Sequence, residues 1–224
     1  MLSKKLKYLQ IALNSTLEEA ENIIEQLPAS ERIIIEAGTP IIKQYGMYGV
    51  QRICDLWQDK VMELGIYPYV VADLKTMDRG ATEVAMVKSA GASGAIALGQ
   101  APVETLNIFI ETCVKYGVDS MVDMMNVDQP IKILRKLEKL PNVVVLHRGV
   151  DEETFNKDKP IPYIHINKVR ATYNVMIAIA GGDTIREVQR AIFNDADIAV
   201  VWKEFYHSTS STAELAQEFL KEIK

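Results

Sequence analysis

The residues best suited to chemistry in this sequence sit in one stretch, YVVADLKTMDRG, from Tyr69 to Gly80. An apolar run, Tyr69 to Ala72, leads straight into three charges, Asp73, Lys75 and Asp78, just before a new helix begins. A Lys held between two carboxylates stays cationic and fixed, able to stabilise an anion forming on a substrate carbon or oxygen. In a sheet or barrel of parallel strands, ligands bind at the carboxyl ends of the strands, which is where this group falls. The competing reading is a helix start whose aspartates act as caps while the Lys lies in solvent.

Such a group needs a scaffold, and the chain supplies one by alternation. Nearly continuous Val/Ile/Ala/Leu runs mark strands at Tyr8 to Leu13, Arg32 to Glu36, Tyr69 to Ala72, Gly94 to Leu98, Asp119 to Asp123, Val143 to His147, Val175 to Ala180 and Ile198 to Val201. That pattern belongs to parallel strands covered on both faces. Between them, amphipathic runs predict helices over Leu17 to Leu27, Val50 to Leu64, Thr82 to Ser89, Val103 to Tyr116, Pro130 to Leu137, Thr184 to Phe193 and Thr212 to Ile223. Eight such units predict a single-domain (β/α)8 TIM barrel over residues 1–224, with an open doubly wound sheet as the other topology. Two stretches break the rhythm: Gly38 to Gly49 reads as a loop and short helix over the barrel mouth. Asp151 to Pro162 reads as a mobile loop followed by an extended piece at Tyr163 to Asn167.

A barrel points its strand ends at one pocket, so the polar residues there form the candidate site. In order they are Asn14, Glu36, Asp73 with Lys75, Gln100, Asp123, His147 with Arg148, Gly181-Gly182 and Trp202-Lys203. Glu36 and Asp73, on neighbouring strands, suit a divalent cation, since Mg2+ favours one or two carboxylates completed by water and substrate oxygens. His147 is a candidate proton carrier, or else a hydrogen-bonded structural residue. Gly181 and Gly182 open a helix after the seventh strand, a usual phosphate position in barrels, although a tight turn explains a Gly pair equally. Asp123 and Asn126 read as helix caps rather than substrate contacts, and Met124 and Met125 as core.

Composition narrows the function classes. The 25 basic and 30 acidic side chains give a net charge of -5 without a long run of either sign, which argues against a nucleic-acid partner. The two cysteines, Cys54 and Cys113, lie in helix-like segments without metal-ligand spacing and read as buried thiols of a reducing, cytoplasmic protein. The basic start, MLSKKLKYLQIALN, has too short an apolar run for a secretory signal or a membrane span.

The runs IIIEAGTPIIKQYG (Ile33 to Gly46), VADLKTMDRG (Val71 to Gly80), VDMMNV (Val122 to Val127), HRGVDEE (His147 to Glu153) and IAGG (Ile179 to Gly182) together resemble a known group. It comprises 3-hexulose-6-phosphate synthase and 3-keto-L-gulonate-6-phosphate decarboxylase, within the orotidine-monophosphate decarboxylase superfamily, and the archaeal type of hexulose phosphate synthase is the nearer. The resemblance implies a homodimeric (β/α)8 barrel with active sites at the subunit interface and a sugar phosphate as substrate. It further implies Mg2+ on Glu36 and Asp73, Lys75 holding an enediolate, and Asp78 reaching into the partner's site. His147 would move a proton, and Gly181 with Gly182 would hold the phosphate. The reaction implied is aldol addition of ribulose 5-phosphate to formaldehyde or its reversal; the alternative is decarboxylation of keto-gulonate phosphate.

Two positions depart from that pattern. Asn14 stands where the family has a substrate-contacting Asp, which removes a charge. Trp202-Lys203-Glu204 stands where the family has Gly-Gly or Gly-Arg. Lys203 then replaces the Arg as a point charge, while Trp202 either fills the phosphate cradle or turns outward against a helix. A barrel that binds a metabolite or partner without turnover is the reading these two departures favour.

Overall fold

A computed structural model of the chain describes residues 1–156, 158–207 and 211–223. Eight parallel strands close into a barrel in sequence order, with β8 returning to pair with β1. The strands are β1 (Tyr8–Leu13), β2 (Ile33–Ala37), β3 (Val70–Thr76), β4 (Gly94–Leu98), β5 (Asp119–Asp123), β6 (Val143–His147), β7 (Met176–Ala180) and β8 (Ile198–Val201). The helices, in chain order, are α1 (Leu17–Gln26), α2 (Thr39–Val61), α3 (Gly80–Ser89), α4 (Val103–Tyr116) and α5 (Pro130–Leu134). After these come α6 (Val150–Phe155), α7 (Ile164–Thr172), α8 (Ile185–Phe193), α9 (Lys203–His207) and α10 (Thr212–Glu222).

Successive side chains on a strand point to opposite faces, and this period of two divides the core. Leu9, Ile11 and Leu13 of β1, with Ile33 and Ile35 of β2, face outward into the layer shared with the helices. Tyr8, Ile34, Val71, Met121, Val143 and Ile198 pack inside the barrel. The same parity then dictates that Gln10, Glu36, Asp73, Asp123 and His147, higher on the same strands, also point inward, and all five line one cavity.

Four sequence expectations are corrected. The stretch Gly38 to Gly49 is not a loop: α2 begins at Thr39, with Pro40 in its first turn, and runs to Val61 through a kink at Gly46 (φ 61°, ψ -152°). Glycines that read as loop residues serve there as a helix bend and, at Gly49, as close packing against Tyr45 and Ile41. The Asp151 to Pro162 stretch carries α6, because its acidic first turn (Asp151, Glu152, Glu153) complements the helix dipole and Glu152 accepts from the Gly149 amide; Lys157 lies outside the described residues. Tyr163 to Asn167 is helical rather than extended, forming the start of α7. Strand β3 is also longer than its apolar run, since a register shift between Ala72 and Thr76 carries the pairing past the charges.

Candidate active site

The cavity at the carboxyl ends of the strands has a volume of about 400 Å3. Its lining includes Gln10, Asn14, Glu36, Asp73, Lys75, Asp123, His147, Arg148, Gly181 and Trp202. Its floor is apolar, with Ile96, Val145, Ala180 and Val200, so charges above it act on a ligand with little solvent screening.

Lys75 is aimed into this space by the irregularity in β3. Its φ of 49° is left-handed, which costs a non-glycine residue on the order of 1 kcal/mol. Such a bulge re-aims a side chain next to a site. Lys75 Nζ lies 2.9 Å from Asp73 Oδ2 and 3.1 Å from Asp123 Oδ2. Burial alone would lower the Lys75 pKa, but Asp73 and Asp123 reverse this and hold the ammonium well above its ordinary value. The Lys is therefore a fixed cation, with no competence as a base near neutral pH.

Asp123 is the hub. The oxygen that receives Lys75 also lies 2.8 Å from His147 Nδ1, and the other oxygen accepts from the Met125 amide at 2.9 Å. Burial would raise the Asp123 pKa; His147 and Lys75 overcome that and hold it down to about 2. For His147 the burial that would lower its pKa is outweighed by Asp123, which raises it above 6.5. With Nδ1 fixed on a carboxylate, Nε2 is the ring nitrogen left to exchange a proton with a ligand.

Glu36 and Asp73 are the carboxylates next to this hub. Glu36 is buried and accepts from Gln10 Nε2 at 2.6 Å. Burial, and then repulsion from Asp73, push its pKa up to about 7. Thr39 Oγ1, at the start of α2, lies 2.8 Å from the Asp73 carbonyl oxygen and 3.0 Å from Oδ2. Asp73 Oδ1 is buried without a hydrogen-bond partner among the described residues. A repelled pair of inward carboxylates with a free oxygen fits a hard dication that draws its other ligands from water and substrate. Among the described residues no group of three or more His, Cys, Asp or Glu is arranged to hold a metal by itself.

The remaining predicted residues divide. Asn14 lines the cavity; its backbone N–H donates to Tyr206 Oη at 2.8 Å, and Gly38 opposite has no room for a Cβ beside the Asn14 side chain. Gly181 lines the cavity in a left-handed conformation (φ 96°), whereas Gly182 packs against Ile161 and Glu187 outside the lining. Trp202 lines the mouth, edge-on to Tyr206, with Lys203 Nζ 5.5 Å above its ring. Lys203 itself lies outside the lining: it pairs with Glu153 and lies 3.7 Å from Asp183 Oδ2, and the backbone amides of Trp202 and Lys203 both donate to Asp183 Oδ1 (2.8 and 3.3 Å). Asp78 stands apart on an exposed turn and does not line the cavity.

Three contributors escaped the sequence reading of the site: Gln10, Thr39 and the full role of Asp123. Gln10 carried a signal, a lone polar residue in the middle of an apolar strand. Asp123 is not the helix cap the sequence suggests, since α5 starts at Pro130 after Gln129; one of its oxygens accepts from the Met125 amide in the turn after β5, while the other joins Lys75 to His147.

The chain has counterparts among known proteins. Residues 7–217 match the family model described as "Orotidine 5'-phosphate decarboxylase / HUMPS family". The chain is 34% identical over 219 residues to the bifunctional enzyme Fae/Hps of Methanocella arvoryzae, covering 97% of this chain and 53% of that protein. It is 38% identical over 203 residues to the enzyme of the same name from Methanococcoides burtonii, covering 90% and 49%. The chain thus spans about half the length of the curated relatives it matches. Among solved structures it is similar to the 3-hexulose-6-phosphate synthase from Salmonella typhimurium, at 26% identity and a TM-score of 0.83 over 96% of this chain and 98% of that one. KGPDC from Streptococcus mutans superposes with a TM-score of 0.78 at 19% identity over 97% of each chain, a likeness of fold. By its family match and its relatives, the chain belongs to the orotidine 5'-phosphate decarboxylase / HUMPS family.

Proposed function

We propose that this chain is a Mg2+-dependent carbon-carbon lyase of the 3-hexulose-6-phosphate synthase type. It forms the enediolate of ribulose 5-phosphate and adds it to formaldehyde, or cleaves the hexulose phosphate in reverse. The observation that carries this reading is the Lys75 ammonium clamped between Asp73 and Asp123, with His147 on the same Asp123 oxygen. The names of the relatives and of the solved structures at 25% and 26% identity support the choice of reaction.

Enediolate chemistry places a negative charge on a sugar oxygen, and a preorganised cation in an apolar-walled site is suited to stabilising it. Lys75 supplies that charge without donating its proton. His147 takes or returns a proton through Nε2, its ring held by Asp123. Glu36 and Asp73 would hold Mg2+, which when bound supplies Lewis-acid stabilisation of the developing oxyanion. Asn14 contacts the sugar, and Gly181 with Lys203 receives the phosphate end. Asp78, outside its own cavity, serves the site of a second copy in a homodimer. The free, buried Cys54 and Cys113 suit a cytoplasmic setting. No helix among the described residues is long and apolar enough to cross a membrane.

The test is formaldehyde release from hexulose 6-phosphate, with and without Mg2+, beside CO2 release from keto-gulonate 6-phosphate. Mg2+-dependent formaldehyde release is expected. CO2 release in its place would move the chain to the decarboxylase reading, and turnover of neither would leave a binding barrel.

A further inference from the structure

The mouth of the cavity holds a charge arrangement that the proposed reaction does not explain. Glu153, on α6, lines the cavity and reaches two cations: its Oε2 pairs with Lys203 Nζ, and its Oε1 lies 3.5 Å from Arg148 Nη2. Arg148 also donates to the Gly181 carbonyl oxygen at 2.7 Å and, through Nη1, to the Lys159 carbonyl oxygen at 3.3 Å. The guanidinium thereby touches both the β7 loop and the carboxylate. The backbone amides after β8, which in a barrel commonly face a phosphate, are instead turned onto Asp183. On the β8 side an arriving anion therefore finds side-chain cations in place of free amides, and both cations already share a carboxylate.

We infer that Glu153 stands in for the ligand's anionic group, and that a phosphate ester displaces it from Arg148 and Lys203. This rests on the sugar-phosphate reading of the same cavity and adds a determinant of selectivity to it. Glu153 is tethered to the site by the short helix α6 and so competes at high effective concentration. A monoanionic carboxylate ligand offers the two cations no more than Glu153 already does. A phosphate dianion brings a second charge and further acceptor oxygens for the Arg148 and Lys203 donors. The arrangement admits phosphorylated ligands and rejects their carboxylate analogues, and in the free protein it leaves neither cation bare.

Binding of inorganic phosphate and of acetate to the full chain, measured by calorimetry or by phosphorus and proton NMR, tests this. Glu153→Gln is expected to tighten phosphate roughly five- to tenfold, as one like charge and one tethered competitor are lost. It should also let acetate bind where the parent protein does not. Adding Lys203→Gln or Arg148→Gln should cancel the gain, and thermal melts of each variant confirm folding. Phosphate affinity unchanged or weaker in folded Glu153→Gln, or a gain that survives in either double variant, overturns the inference. Inorganic phosphate carries no sugar, so a gain seen in a protein that fails to release formaldehyde upholds the role of Glu153 while overturning the choice of reaction.

Discussion

Lys75 and His147 meet on a single oxygen of Asp123, at 3.1 and 2.8 Å. The cation proposed to stabilise charge and the ring proposed to move the proton are thus positioned by one buried carboxylate, drawn from a strand between theirs. Because the carboxylate holds both, its removal should damage both functions at once.

Asp123→Asn is accordingly expected to lower turnover by about 100-fold, the scale of a displaced acid-base group. It should also let burial dominate at His147, so that its titration moves to lower pH. The pH-rate profile and the imidazole proton shifts of His147 measure this together. A slow variant whose histidine still titrates above 6.5 would contradict the shared-anchor account.

Glu36→Gln separates stability from activity. An acid whose folded pKa is raised destabilises the fold once pH exceeds its unfolded value, and Glu36 is pushed up from 4.5 to about 7. In chelator-treated protein at pH 8 the variant should gain on the order of 2 kcal/mol in urea unfolding, while losing its response to Mg2+. Loss of stability at that pH would mean that the carboxylate is paired more favourably than its burial implies.

The acid limb of stability has the opposite sign. Asp123 is held down to about 2 from 3.8, so its contribution is present above about 4 and lost as pH falls through 2. Urea midpoints taken from pH 5 to pH 2 should drop by an amount on the order of 2 kcal/mol that Asp123→Asn no longer shows.

Gly181→Ala tests the backbone under the site. Gly181 has φ 96°, and a Cβ there would strike the Arg148 carbonyl oxygen and come within 2.9 Å of the Arg148 Cβ. Strain and clash together should cost about 2 kcal/mol or more, read as a fall in the thermal midpoint. A variant of unchanged stability would show that β6 and β7 can part at no cost.

Much of the barrel was legible because strands buried on both faces leave unbroken apolar runs, and β1, β4, β5, β6 and β8 were placed to the residue. β3 was cut short because Asp73 and Lys75, charges turned toward the cavity, interrupt the apolar signal inside the strand. The start of α2 was hidden because Gly38, Gly46 and Gly49 look like loop residues in sequence, whereas in the fold they begin, bend and pack a helix. α6 has too many charges and too few turns to show a periodicity. In the site, Glu36, Asp73 and Lys75 could be gathered from strand ends, since parity turns them all inward. Thr39 lay hidden as an ordinary helix-start residue, and the joint hold of Asp123 on Lys75 and His147 is a side-chain geometry that spacing along the chain does not encode.

The central claim, that this cluster draws a proton from a sugar phosphate and stabilises the anion left behind, is tested most directly by solvent exchange. Ribulose 5-phosphate incubated with the protein and Mg2+ in D2O, without formaldehyde, should exchange one hydrogen at C1, followed by proton NMR. Exchange is expected in the parent protein, and in Lys75→Ala it should slow by about 100-fold or more. Exchange at the parent rate in a folded Lys75→Ala variant, or none in the parent protein, would contradict the account.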